Sequence, residues 1–209
     1  MSRPTSRRAW RRRSLRVLAP ALGLLLVPSP SHAHLVNTGL GPFYDGISHF
    51  ALTPEDLLPA LAIALLAGQR GASAGRLALF TLPAAWLAGG LAGLAVPTIQ
   101  SAVLLTTVSF LALGGLVAAE ARLPAEWVAA LAAVVGLFHG YLNGAAMSQA
   151  KLGTLGLVGI VSTLFVTVAL AAAMVVAIRA SWGRVAVRVA GSWIVAIGLL
   201  LLGWSLRAA

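Results

Sequence analysis

The stretch LGLVGIVSTLFVTVALAAAMVVAI, residues 155–178, contains no Asp, Glu, Lys or Arg. A helix needs ~20 predominantly apolar residues to cross a hydrocarbon core ~30 Å thick, and this run exceeds that. Backbone placed in lipid must satisfy its own N–H and C=O groups, which leaves the α-helix as the form of a single spanning segment. Outward from this run, five more apolar stretches complete a series at about 54–68, 77–96, 101–119, 127–147, 155–178 and 189–206, separated by short polar or Pro/Gly turns. The whole chain agrees: 59% of its residues are hydrophobic and only 10% charged, with a mean hydropathy of +0.93. A water-soluble surface needs roughly a quarter of its residues charged. The expected fold is therefore all-α, a polytopic membrane bundle of six spanning helices.

The first stretch is the weak one. Fifteen residues at 1.5 Å rise reach only about 22 Å. It needs help from residues 42–52, themselves fairly apolar, and Pro54 interrupts the join. Six spans divide into three plus three, and an odd number per half makes any internal repeat inverted about an axis in the membrane plane. Each half carries a histidine in or beside its first helix, His49 and His139. A 3+3 inverted repeat with a broken first helix is the architecture this pattern allows.

The net charge of +10 is concentrated at one tip. Arg3, Arg7, Arg8, Arg11, Arg12, Arg13 and Arg16 precede an apolar run at 17–27, a Pro28-Ser29-Pro30 break and the small-residue site Ser31-His32-Ala33. That order is a cleavable signal peptide over residues 1–33, with a six-helix domain over 34–209. Because the basic residues sit in the leader, they give no reason to expect a nucleic-acid partner. Cleavage after Ala33 would put the mature N-terminus outside the cytoplasm. The inner loops would then hold Arg70, Arg76, Arg122, Arg179, Arg184 and Arg188, and the outer side Lys151 and Arg207, the bias of the positive-inside rule. The expected location is the inner (cytoplasmic) membrane.

Ionisable groups at membrane depth are costly and mark function. Beyond the leader the candidates are His34, Asp45, His49, Glu55, Asp56 and His139. As residue one, His34 could chelate a metal through amine and imidazole together; in an uncleaved tail it would be ordinary. Thr53, Pro54, Glu55 and Asp56 make a good helix start, with Thr53 as N-cap and Asp56 able to close a capping box. The same acids can also meet His49. On a continuous helix seven residues return His49 to the face of Asp56, with Asp45 a turn further back; a helix broken at proline would instead fold His49 toward the carboxylates. His139 and Asn143, four apart, share a face beside Gly136, Gly140 and Gly144. The stripes Gly89/Gly93 and Gly136/Gly140 serve internal packing or dimer contacts equally well, so a homo-oligomer stays open. Thr106, Thr107, Ser109, Ser162, Thr163 and Thr167 either line a polar path or, more simply, bond back to their own helix carbonyls.

Gly71-Ala72-Ser73-Ala74-Gly75 matches G-x-S-x-G, but no strand precedes it, so no nucleophile elbow forms. His139 and Asn143 are followed by neither the serine in a G-x-S-G turn nor the second histidine that a rhomboid-type protease requires. The chain reads as a non-enzyme. With no cysteine and few methionines, imidazole and carboxylate are what it offers a metal, a set suited to borderline divalent ions.

These residues resemble the HupE/UreJ family of membrane proteins, whose first-helix motif is His, five residues, then Asp-His before a leucine-rich run. His49 matches the first histidine, Glu55 falls at the Asp position, and Asp56 stands in place of the second histidine before Leu57 and Leu58; Phe138-His139-Gly140 matches the element of the second half. Glu-Asp for Asp-His keeps a carboxylate and loses one imidazole, a harder and more oxygen-rich site. The resemblance implies a secondary permease carrying Ni(II) or Co(II) from periplasm to cytoplasm, with no required cofactor. The metal ligands would come from His34, His49, Glu55, Asp56 and His139, with Asp45 and Asn143 along the path. It implies the lipid bilayer, the divalent ion and metalloenzyme maturation proteins as partners. The competing reading is a non-transporting assembly or scaffold component of a metalloenzyme system.

Overall fold

The computed structural model describes residues 37–98 and 103–208. The leader and His34 lie outside the described residues. Among those described there are seven helices and no strand: α1 (Pro42–Leu52), α2 (Pro54–Arg70), α3 (Ala72–Ala95), α4 (Val103–Ala118), α5 (Ala125–Gln149), α6 (Gly153–Ala177) and α7 (Ser181–Ala208). The helices α3, α5, α6 and α7 are long and apolar enough to cross a membrane. α1 and α2 pass the same test as a pair bent by 72°, and α4 is an apolar helix of 16 residues. This is a multi-pass membrane protein.

The bend has a local cause. Thr53 precedes a proline, and the Pro54 ring disfavours helical dihedrals in the residue before it. It adopts φ −102° and ψ 98° instead, ending α1 and capping α2 by position. The expected side-chain capping box does not form: Thr53 makes no side-chain cap bond, and its carbonyl accepts from the backbone N–H groups of Asp56 at 3.1 Å and Leu57 at 3.0 Å. The Asp56 carboxylate is thereby left for other partners. α3 and α7 start earlier than their apolar stretches suggest, because Arg76, Arg184 and Arg188 are carried within the first turns.

α2 touches every other helix. Its Ala60, Ala62, Ile63, Ala64, Leu66 and Ala67 are fully buried, the pattern of a helix apolar all round and enclosed by neighbours. Around it the other helices pair through glycine. In the α3–α5 pair, Gly89 and Gly93 lie against the carbonyls of Leu137 and Tyr141, while Gly140 and Gly144 lie against those of Trp86 and Gly90. A Cβ at any of the four would overlap the facing backbone. The two sequence stripes are therefore each other's partners within one chain, and internal packing accounts for both. Gly46 and Gly159 do the same between α1 and α6, and Gly114 meets Gly191 between α4 and α7. Phe80, Leu170 and Leu200 are among many large apolar side chains on the outer face, as lipid contact requires.

Candidate functional site

The Thr53–Pro54 break turns α1 back over the first turn of α2. Asp56 is 4% exposed there, and His49 of α1 places Nε2 3.7 Å from Asp56 Oδ2. From α5, His139 places Nδ1 3.4 Å from Asp56 Oδ1. One buried carboxylate thus stands between two imidazoles delivered by two other helices. Both separations exceed the 2.7–3.2 Å of a well-made N–H···O bond, so the cluster is close without being locked.

His139 is itself enclosed, with 1% of its surface exposed. Trp86 of α3 stacks on the ring at a centroid distance of 5.6 Å and an angle of 25°, and Phe138 meets it edge-on at 5.1 Å. Phe50 of α1 packs edge-on against Trp86 in turn. On the far side of the ring, Ser109 of α4 lies 3.3 Å from Nε2, and its hydroxyl donates to the Thr106 carbonyl at 2.7 Å. A neutral His139 that donates from Nδ1 to Asp56 carries a lone pair on Nε2. Carboxylate–imidazole pairs of this kind orient histidines that ligate through the other nitrogen.

The candidates read from sequence divide clearly. His49, Asp56 and His139 come together. Glu55, on the adjacent helix position, is exposed and has no hydrogen bond or ion pair among the described residues. Asp45, expected along the path, is occupied elsewhere: its Oδ1 accepts from both the backbone N–H and the hydroxyl of Thr38, each at 2.6 Å, pinning the segment ahead of α1. Asn143 is buried and donates from Nδ2 to the His139 carbonyl at 3.1 Å; its Oδ1 is buried with no partner among the described residues. Trp86 Nε1 is likewise buried without an acceptor among the described residues. Thr107, Thr163 and Thr167 bond back to carbonyls of their own helices. Among the described residues no three His, Asp or Glu side chains already surround a single point. The three that meet form a chain with Asp56 in the middle.

Two contributors were not singled out by spacing. Ser109 is one of several hydroxyls in apolar helices, and only the packing of α4 against α2 selects it. Trp86 carried one usable sign, its place one turn before the Gly89/Gly93 stripe that faces the histidine-bearing helix.

A sequence model of the HupE / UreJ protein family matches residues 22–201. The chain belongs to the HupE/UreJ family. Among the members of that family, Protein HupE of Rhizobium leguminosarum bv. viciae is 26% identical over 198 residues, covering 88% of this chain and 96% of the relative. No solved structure matches the chain significantly. The family match spans both histidine-bearing segments, so the broken first helix and the α5 histidine described above lie within the part shared with HupE/UreJ proteins.

Proposed function

We propose that this HupE/UreJ protein is a secondary permease that carries Ni(II) or Co(II) inward across the cytoplasmic membrane. The observation that carries the reading is Asp56, buried between His49 and His139 at the break of the central helix pair. A buried carboxylate flanked by two imidazoles is the donor set that borderline divalent metals favour. Two ligand bonds of ~2.1 Å to one ion at an angle of about 120° subtend ~3.6 Å, close to the 3.7 Å between His49 Nε2 and Asp56 Oδ2. The family's association with nickel and cobalt transport supports the same cargo.

In this reading α1 and α2 form one broken span and α4 another, which makes six. The pairing of α1 with α6 and of α3 with α5, both through glycine, is what exchange of two inverted halves would produce. The arginine-bearing end faces the cytoplasm. Exposed Glu55 draws cations to the outer mouth, and the ion then passes from His49 and Asp56 to His139, beside the unpartnered Asn143 Oδ1. The inside-negative potential supplies ~2.3 kcal/mol per charge per 100 mV.

Metal accumulation in cells tests this directly. Expression of the wild-type chain should raise cellular Ni(II) or Co(II), and His49→Ala or His139→Ala should return it toward the level without the protein. Unchanged accumulation, with both substitutions silent, would leave a scaffold whose histidines only pack.

A further inference from the structure

At the end of α2 opposite Asp56, ~20 Å away along the helix axis, the α4–α5 turn is gripped from three sides. Gln69 Nε2 donates to the Val117 carbonyl at 3.1 Å, Arg188 Nε to Ala118 at 2.9 Å and Arg70 Nε to Leu123 at 3.1 Å. In the middle of this turn sits Glu120, with φ +51°. A crevice of about 220 Å³ opens beside it, walled by Gln69, Glu120, Arg184, Gly68, Gly71 and Val175. Three larger grooves on the described surface are lined by apolar side chains with arginine. This one has a carboxylate and an amide in its wall, and the amide oxygen, Gln69 Oε1, is buried with no donor among the described residues.

The left-handed position that closes a helix normally falls to glycine. Glu120 occupies it with a side chain that has no hydrogen bond or ion pair among the described residues. Neither helix ending nor turn packing needs a carboxylate there.

We propose that this crevice is the release end of the cation route, where the Glu120 carboxylate takes a partly hydrated divalent cation and the Gln69 amide oxygen, buried in the wall, adds its negative dipole end. The assignment rests on the permease reading. A single carboxylate in a crevice that Arg184 also lines makes a weak site, and weakness is what an exit requires, since the ion must leave into solution.

The test uses the full chain in proteoliposomes containing a Ni(II)-sensing dye, with wild type, Asp56→Asn, Glu120→Gln and Glu120→Gly compared for initial rate and half-saturating Ni(II). Glu120→Gly suits the backbone better than the native residue, so its melting temperature should equal or exceed that of wild type. Both Glu120 variants should nevertheless lose rate about tenfold, the effect of deleting a group that supports a metal site, while half-saturation, set at the outer mouth, stays near wild type. Wild-type rates in both variants, with Asp56→Asn slow, would overturn the exit assignment and leave the permease intact. A wild-type chain no faster than empty vesicles would remove the permease and this assignment with it.

Discussion

Asp56→Asn separates a structural carboxylate from one that receives an ion. Its contacts to His49 and His139, at 3.7 and 3.4 Å, are longer than well-made hydrogen bonds. A good bond to a charged group contributes about 1.5–3 kcal/mol, so two lengthened ones contribute at the low end of that range together. Asparagine keeps one acceptor oxygen in nearly the same place and removes the cost of burying a charge. The expected loss of stability is therefore about 1–2 kcal/mol. The ion loses far more. A full negative charge ~2.1 Å from a dication is worth about 16 kcal/mol gross at an effective dielectric of 20. If only a tenth survives desolvation, roughly 1.6 kcal/mol remains, more than tenfold in affinity.

Thermal unfolding of the detergent-solubilised protein, followed by tryptophan fluorescence, measures the first quantity. Equilibrium dialysis against Ni(II) and Co(II) measures the second. Asp56→Asn should melt slightly earlier than wild type and bind at least tenfold more weakly. Drastic unfolding of the variant, by about 3–5 kcal/mol as for a broken buried ion pair, with wild-type metal binding by its folded fraction, would refute a role for Asp56 in receiving the ion. Asp56 would then be a staple between α1, α2 and α5.

Further substitutions probe the neighbours. Glu55→Gln, at an exposed position with no hydrogen bond or ion pair among the described residues, should leave melting nearly unchanged and reduce uptake by no more than about twofold, an effect that fades at high salt because it acts through screened attraction. Asn143→Ala removes a buried oxygen that has no donor among the described residues and, with it, the Nδ2 bond to the His139 carbonyl; the two offset, so melting should stay within ~1 kcal/mol of wild type while uptake falls, and a large fall in both would make Asn143 a packing residue. Gly140→Ala places a methyl against the Trp86 carbonyl and should cost about 3 kcal/mol or more in folded yield and melting, whereas Gly203→Ala, with open space around it, should cost nothing measurable.

How much of this was legible before the structure depends on the range of the interaction. The break at Thr53 follows from one residue and its neighbour, and the start of α1 at Pro42 from the shortfall in length of the following stretch. The i, i+4 relation of His139 and Asn143 is likewise local, and both are buried on one face of α5. Glu55 and Asp56 could not be ranked, because adjacent helical positions point about 100° apart and the choice between them waits on a bend of 72° that sequence does not quantify. The same limit applies to Asp45, whose proximity in sequence to His49 suggested a common path. A short loop returns Thr38 to it, and the carboxylate is spent on that loop. The glycine stripes announced close helix contacts but not their partners, since a stripe has the same spacing whether it faces its own chain or another.

The break at Thr53 also explains how two residues seven apart come to share a site. On an unbroken helix, His49 and Asp56 would lie on nearly the same face but about 10.5 Å apart along the axis, beyond the direct contact of an imidazole with a carboxylate. Folding α1 back by 72° closes that gap to 3.7 Å and at the same time sends Gly46 and Phe43 against α6. Glycine contact with α6 holds α1 in its tilted place, while α2 stays central and presents Asp56 to His139. The histidine on α5 reaches that point because Gly140 and Gly144 let α5 sink against α3, which also brings Trp86 onto the imidazole face. Two glycine contacts and one proline therefore set the spacing of three side chains from three helices. A shift of α1 against α6, or of α5 against α3, would move one imidazole relative to the carboxylate without disturbing the other, which is the freedom that handing an ion from His49 to His139 requires.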